Sequence, residues 1–145
     1  GSRDIDAWTV ATVVGYAWPV SWTPRLSLST NVASGDRRPE DRSLGTFNPI
    51  YPRAPYFTEA ALNAPANFID FKPALDIRPY HNWQVRVSVD ILWRYSTRDA
   101  FYVQPLVPLV AGDASRARHV ASLGELRVAW TPSASFSSTF AVVYT

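Results

Sequence analysis

Charged side chains alternate with apolar ones in several segments of the chain, and nearly all of the cations among them are arginines. Because alternate residues of a β-strand point to the same face, these charges would share one face of a sheet. A guanidinium binds a carboxylate or phosphate through a planar fork, so a row of arginines could guide an anionic solute. In a competing interpretation, the same charges pair across strands and only stabilise the sheet. The set contains Arg25, Lys72, Arg78, Arg86, Arg94 and Arg127, with Asp70, Asp76, Asp90 and Glu125.

A period of two in hydrophobicity predicts that these charges are carried by β-strands. The pattern is clearest in residues 83–96, where Trp83, Val85 and Val87 begin an apolar series that alternates with polar residues. Proline, glycine and β-branched residues recur in all such segments, which disfavours helices. Short turns are expected at 19–24, 79–82 and 131–134, and long loops at 35–66 and 97–117. The predicted strands, within a single segment 1–145, lie near 4–18, 25–34, 67–78, 83–96, 118–130 and 135–145.

Tryptophans recur near the ends of these strands, and their spacing predicts that the apolar face of the sheet contacts membrane lipid. Trp83 and Trp93 lie ten residues apart on one face, as do Trp8 and Trp18. At ~3.3 Å per residue and a tilt of ~40°, this separation spans about 25 Å, the height of a membrane's apolar band. Alternating short turns and long loops are also typical of bacterial outer-membrane barrels. The expected aromatic girdle contains Trp8, Trp18, Trp22, Trp83, Trp93 and Trp130.

Composition and motifs disfavour several other classes of protein. No apolar run approaches the ~20 residues of a membrane helix, and a net charge of +2 does not indicate a nucleic-acid partner. The sequence contains no Gly-x-Ser-x-Gly motif, and His81 and His119 are too far apart in sequence for a metal-binding pair. We therefore expect no enzymatic activity, no cofactor and no metal site.

The first long loop carries a distinctive segment, Gly45-Thr-Phe-Asn-Pro-Ile-Tyr-Pro-Arg-Ala-Pro-Tyr-Phe57. The residues around it, 31–36, 64–70 and 92–99, belong to the same pattern. Together they resemble the C-terminal part of the alginate export family of outer-membrane barrels. The resemblance covers most of the chain, and residues 45–57 are its most specific part. The same segment could fold into the lumen as a constriction with Tyr51, Arg53 and Tyr56, or it could pack as a surface loop.

The resemblance implies an antiparallel, up-and-down transmembrane β-barrel of eighteen strands in the outer membrane of a Gram-negative bacterium. About six of those strands lie in this chain, and closure of a sheet needs at least ~8. The remaining strands, an N-terminal part and one last strand, are therefore expected partners. Membrane lipid, lipopolysaccharide and the transported solute are the others.

Transport or export of an anionic solute, such as the acidic polysaccharide alginate, is the leading functional hypothesis. A second hypothesis is a structural or complex-forming outer-membrane barrel whose lumen is plugged. A soluble β-sandwich that binds a ligand is the third, because alternation alone does not distinguish lipid from a second sheet.

Overall fold

A computed structural model describes residues 4–49, 64–103 and 106–145 of the chain. This part of the chain is all-β, and none of its residues forms a helix that could cross a membrane. Its strands are β1 (Asp4–Ile5), β2 (Thr9–Ala17), β3 (Arg25–Ala33), β4 (Ser43–Leu44), β5 (Phe68–Ile77), β6 (Trp83–Arg94), β7 (Phe101–Val103), β8 (Val107–Val110), β9 (His119–Ser133) and β10 (Phe136–Tyr144).

Six of these strands form one sheet in the order β10-β9-β6-β5-β3-β2, which confirms the predicted six-stranded antiparallel sheet. The bonds between β2 and β3 show the direction, since Thr9 Oγ1 donates to Val32 O and Thr12 Oγ1 donates to Thr30 O. The β10–β9 pair is antiparallel too, with a register shift near its turn. Within the described residues the sheet stays open, and β10 and β2 are its edges.

The first predicted strand is interrupted in the structure. Residues 4 and 5 form β1, which pairs in parallel with β4 instead of continuing into β2. The main chain explains this break, because Asp4 N donates to Arg42 O and Asp6 N donates to Leu44 O. The second predicted long loop also contains structure, since β7 and β8 form an antiparallel hairpin within it.

Short connections join the strands of three hairpins. Trp18 N donates to Pro24 O across the first turn, and Trp83 N donates to Tyr80 O in the second. The third is tighter than expected, because β9 continues to Ser133 and leaves only two residues before β10. Bonds between the main chains of neighbouring turns, such as Arg78 N to Trp22 O at 2.8 Å, fix these hairpins side by side.

Contacts divide the chain into two compact units, which we name by the connections that they contain. The long-loop unit comprises Gly1–Ala11, Asn31–Asp70 and Leu92–Val120. The short-turn unit comprises Thr12–Thr30, Phe71–Ile91 and Ala121–Thr145. The apolar residues buried in the long-loop unit are Ala33, Ala64, Ala66, Phe68, Leu92 and Phe101.

Candidate functional site

In the short-turn unit, the central strands bury several polar residues and expose most of their large apolar ones, although Ala74 and Leu123 are buried as well. On β6, Val87 and Val89 are 49 % and 42 % exposed, whereas Ser88 and Asp90 between them are 3 % and 1 % exposed. The same inversion recurs on the neighbouring strands. Apolar residues exposed there are Leu26, Phe71, Leu75 and Leu126, and polar residues buried there are Ser27, Asp76 and Glu125. This distribution is the reverse of that in a water-soluble sheet, whose apolar face is covered.

Ion pairs connect the predicted charged residues of this unit. Glu125 of β9 forms ion pairs with two cations. Arg127 Nη2 lies 3.0 Å from its Oε1, and the Nζ of Lys72 in β5 lies 3.7 Å from its Oε2. The strand β6 lies between β5 and β9, so the Lys72–Glu125 pair reaches across it. Arg86 Nη1 lies 3.6 Å from Asp76 Oδ1, with 39 % of the arginine side chain exposed. Several of the predicted residues are therefore brought together on one face.

Four arginines gather around Asp76 and define what we call the arginine cluster: Arg25, Arg78, Arg86 and Arg127. Arg25, Arg78 and Arg86 line a pocket of about 280 Å³, and Arg86 and Arg127 line a second of about 180 Å³. Asp76 and Gln84 border both pockets. Arg25 and Arg78 are exposed, and neither forms a salt bridge with another residue in the described part of the chain.

This cluster has more positive charge than its own carboxylate can neutralise. Among the described residues, Asp76 is the one acidic residue that lines the two pockets, and Glu125 beside them pairs with Arg127. Four guanidinium groups therefore share two carboxylates. Each guanidinium group is cationic and carries five N–H donors in a planar fork. Exposed, unpaired guanidinium groups in a concave site can bind carboxylates, sulfates or phosphates through charge-assisted hydrogen bonds.

Two other predicted charges, Asp70 and Arg94, bind neighbouring groups in the long-loop unit. Asp70 is fully buried and accepts hydrogen bonds from Asn31 N at 2.6 Å and from Asn31 Nδ2 at 2.9 Å. Arg94 is 2 % exposed, and its guanidinium donates to the main-chain oxygens of Ser115 and Ala117. Their predicted contact with a solute stays a prediction, and in the structure both groups stabilise local main chain.

Asn67, which the sequence analysis did not single out, joins several segments of the same unit. It is fully buried at the entry to β5, with a φ of 51°. Its Nδ2 donates to Ser96 O at 2.9 Å and to Ala100 O at 2.8 Å, while its Oδ1 accepts from Ser96 N at 2.7 Å. Asparagine tolerates this left-handed backbone better than most residues do. Asparagine at a strand boundary is too common for its type alone to predict this role.

Asp99 is a second residue that sequence reasoning missed, and it joins the two long connections. Its carboxylate accepts hydrogen bonds from Asp36 N at 2.8 Å, Thr46 Oγ1 at 2.6 Å and Tyr102 Oη at 2.8 Å. Burial, and to a smaller extent the hydrogen bond to Asp99, raises the pKa of the Tyr102 hydroxyl to about 12. An aspartate beside Arg98 in a long loop looks like a solvated charge, so the sequence contained no signal for this burial.

The predicted girdle tryptophans form small aromatic groups. In the short-turn unit, Trp83 and Trp130 stack with ring centroids 5.9 Å apart, and Trp130 meets Phe136 edge to face. In the long-loop unit, Trp8 contacts Tyr95 with centroids 5.6 Å apart. The tryptophans that are at least 37 % exposed are Trp8, Trp18, Trp22, Trp83 and Trp130. Their placement at a membrane interface stays a prediction.

Three predicted residues of the constriction, Tyr51, Arg53 and Tyr56, lie outside the described residues. Within the described ranges, the histidine, aspartate and glutamate side chains form no group of three or more that could hold a metal ion.

In a comparison with known proteins, a family model described as alginate export matches residues 1–144 of the chain. No curated protein and no solved structure matches the chain.

Proposed function

The chain belongs to the alginate export family, and we propose that it forms part of the wall of a transport barrel in the bacterial outer membrane. The proposed cargo is an anionic solute, and an acidic polysaccharide such as alginate fits both the family and the arginine cluster. No catalytic role is proposed. Membrane lipid and lipopolysaccharide would contact the apolar face, and the cargo would contact the charged face.

The inverted exposure of the sheet is the observation that carries this proposal. Asp76 and Glu125 are 9 % and 6 % exposed, whereas Leu75 and Leu126 beside them are 42 % and 41 % exposed. In water, such a sheet would leave a large apolar surface uncovered, which soluble monomers rarely do. Facing lipid, the same surface is favourable, and the charged face stays out of lipid, where an arginine or lysine at the bilayer midplane would cost about 2–4 kcal/mol and a carboxylate less. The inversion therefore also disfavours a soluble β-sandwich.

The arginine cluster supports an anionic cargo. Arg25 and Arg78 are exposed and form no ion pair with a described residue, so both can donate to an incoming carboxylate. Arg86 and Arg127 have carboxylate partners but remain partly exposed. A polyuronate presents a carboxylate on every sugar, and neighbouring guanidinium groups could receive these in succession. Weak, repeated binding of this kind allows the polysaccharide to pass through the lumen, because no single site binds it too tightly.

The two open edges of the sheet support pairing with further strands. Every residue of β2 is exposed, and so is nearly every residue of β10. An exposed edge presents unpaired main-chain donors and acceptors, which cannot remain unsatisfied inside a bilayer. We propose that both edges pair with the remaining strands of a larger barrel, for which the family suggests eighteen.

A plugged lumen is the second candidate, and the long-loop unit provides the observation that favours it. Phe68 of β5 and Leu92 of β6 stand at even-numbered positions, which belong to the charged face elsewhere on these strands. Both are apolar and buried, with 1 % and 2 % of their surface exposed. Phe101 of the β7–β8 hairpin is buried in the same unit, and Ala64 N donates to Tyr102 O. A loop packed on this face would narrow a lumen.

Ion selectivity of the complete barrel in planar bilayers tests the transport proposal. We expect Arg86→Glu with Arg127→Glu to lower the anion-to-cation permeability ratio at least about fivefold. That factor corresponds to about 1 kcal/mol, the interaction of two unit charges 4 Å apart in water. Arg116→Glu with Arg118→Glu is the matched control, because it makes the same change of charge at two exposed residues outside the cluster.

The outcomes separate the candidates. An anion preference that falls in the double variant and survives in the control supports transport through the arginine cluster. An unchanged preference would contradict the role of these arginines. The plugged barrel would be favoured if the parent protein conducts no current and Phe101→Ser restores it. A protein that stays monomeric in water without detergent would contradict both barrels.

A further inference from the structure

A pocket in the long-loop unit combines aromatic rings with carboxylates and arginines and shares no residue with the arginine cluster. We propose that it binds one uncharged pyranose ring of a saccharide. The pocket measures about 180 Å³, below the ~300 Å³ at which pockets for drug-sized ligands begin. It therefore suits a single ring and not an extended ligand. Its lining includes Asp6, Trp8, Asp36, Arg37, Arg38 and Asp41.

Trp8 provides the apolar wall of this pocket. Its main chain is fixed, since Trp8 N donates to Ser34 Oγ and Ser34 N donates to Trp8 O, both at 2.9 Å. Tyr95 packs against it with the two ring planes perpendicular. Arg37 lies over the ring of Tyr95, 4.8 Å from the centroid, and also donates to its hydroxyl. Tyr95 is thus already engaged, whereas Trp8 is 43 % exposed and can receive the C–H face of a sugar ring.

Carboxylates and an arginine supply the polar contacts that a sugar requires. Asp6 and Asp41 are exposed, and a carboxylate accepts hydrogen bonds from hydroxyl groups. Asp41 is held in place because its Oδ1 accepts from Ser43 N and from Ser43 Oγ, both at 2.7 Å. Arg38 is exposed and can donate to ring or hydroxyl oxygens. Hydroxyl groups both donate and accept, so a pyranose can satisfy both kinds of side chain.

The charge of the residues that line the pocket favours an uncharged sugar ring over an acidic one as the ligand. The charged residues that line the pocket are three aspartates, Asp6, Asp36 and Asp41, and two arginines, Arg37 and Arg38. The formal sum is −1, with Asp6 and Asp41 exposed, and the guanidinium of Arg37 remains cationic but donates to the Tyr95 hydroxyl and lies over its ring. A carboxylate on the ligand would meet net repulsion here, in contrast to the arginine cluster. The pocket is therefore distinct in specificity from the proposed transport path, and its test does not depend on that path.

The test follows the six tryptophan indole N–H signals of the full chain by ¹⁵N NMR. Dodecylphosphocholine micelles are the medium, since that detergent has no sugar headgroup. Methyl glucoside and methyl glucuronide are the probes, because they share one ring and differ in a single carboxylate. We expect methyl glucoside to shift the Trp8 signal and to leave the Trp18 and Trp22 signals unchanged. Methyl glucuronide at pH 7 should bind at least about fivefold more weakly.

Matched variants control for folding. Asp6→Asn with Asp41→Asn should weaken methyl glucoside binding while the other indole signals keep their positions, since both residues are exposed. Trp8→Phe should weaken binding less than Trp8→Ala, and Trp22→Ala should leave it unchanged. Micelles doped with dodecyl maltoside test a lipid-borne sugar as the source. Absence of a Trp8 shift with both the free and the lipid-borne sugar would overturn the proposal, as would tighter binding of the glucuronide.

Discussion

The two units use polar side chains in different ways. In the long-loop unit, Asn67, Arg94 and Asp99 are at least nine-tenths buried, and each binds main-chain atoms of neighbouring segments. In the short-turn unit, Arg86 and Arg127 are partly exposed and pair with carboxylates. Buried side chains bound to the main chain determine the path of the loops. Partly exposed arginines keep donors available for a ligand.

A charged residue on the polar face is therefore not necessarily a ligand-binding residue. The role of such a residue depends on how far its side chain is buried and on which group it binds. Asp70 and Arg94 have the same sequence signature as Asp76 and Arg86, and both are occupied by local groups in the structure. The proposed transport function therefore depends on the arginine cluster and not on the whole row. Substitutions at Gly35, at Arg94 and Arg86, and at Tyr102 test the difference between the two units.

We expect the largest effect from Gly35→Ala in the long-loop unit. A Cβ atom at Gly35 would lie 1.9 Å from Asn67 Oδ1 and 2.4 Å from Asn67 Cγ. Three hydrogen bonds hold the Asn67 side chain, so it cannot move without leaving buried groups unpaired. The combined strain and lost bonding should lower the free energy of unfolding by about 3 kcal/mol.

Gly124→Ala is the matched control, since nothing lies within 4 Å of a Cβ atom at that position. Its unfolding free energy should stay within about 0.5 kcal/mol of the parent protein. Urea titration in detergent micelles, followed by tryptophan fluorescence, measures both variants. Equal destabilisation by the two substitutions would show that Asn67 does not organise the long-loop unit as described.

An intermediate effect is expected when two arginines of β6 are compared. Arg94→Gln removes buried hydrogen bonds to Ser115 and Ala117, and should lower the free energy of unfolding by about 2–3 kcal/mol. Arg86→Gln breaks one partly exposed ion pair and should have an effect of at most about 1 kcal/mol. The same urea titration tests both. A larger loss from Arg86→Gln would reverse the distinction between the units.

The smallest effect concerns the pH dependence of stability at Tyr102. Its pKa is raised to about 12 in the folded protein, against 10.0 for the ordinary side chain. The folded state therefore favours the protonated phenol. This contribution to stability is complete below pH 10 and is lost as the pH rises through 12. Tyr102→Phe should remove that part of the alkaline loss.

Urea midpoints of the parent protein and of Tyr102→Phe between pH 8 and about 11 provide the measurement. Other groups titrate in the same range, so only the difference between the two proteins is informative. We expect the parent protein to lose more stability than the variant above pH 10. Parallel curves for the two proteins would contradict the hydrogen bond between Tyr102 and Asp99 as the origin of the raised pKa.

Much of the sheet could be predicted because alternation is a local property of the sequence. The apolar series that starts at Trp83 and the polar series that opposes it predicted β6, and the structure places that strand at Trp83–Arg94. The β7–β8 hairpin could not be predicted in this way, because its strands are too short to display a period. Nor could the parallel pairing of β1 with β4, which joins residues about forty positions apart.

By itself, the sequence determined the β class, the antiparallel six-stranded sheet, the family and the set of charges that share a face. Side-chain alternation and family motifs are local patterns in the sequence, so these properties can be predicted without knowing which distant residues are in contact. The tertiary structure alone decided which charges pair with each other, which bind the main chain and which remain exposed. Those roles depend on segments that are distant in sequence, as when Asp99 meets Thr46 or Arg94 meets Ala117. For this reason the arginine cluster emerged as a site only once the strands were placed side by side.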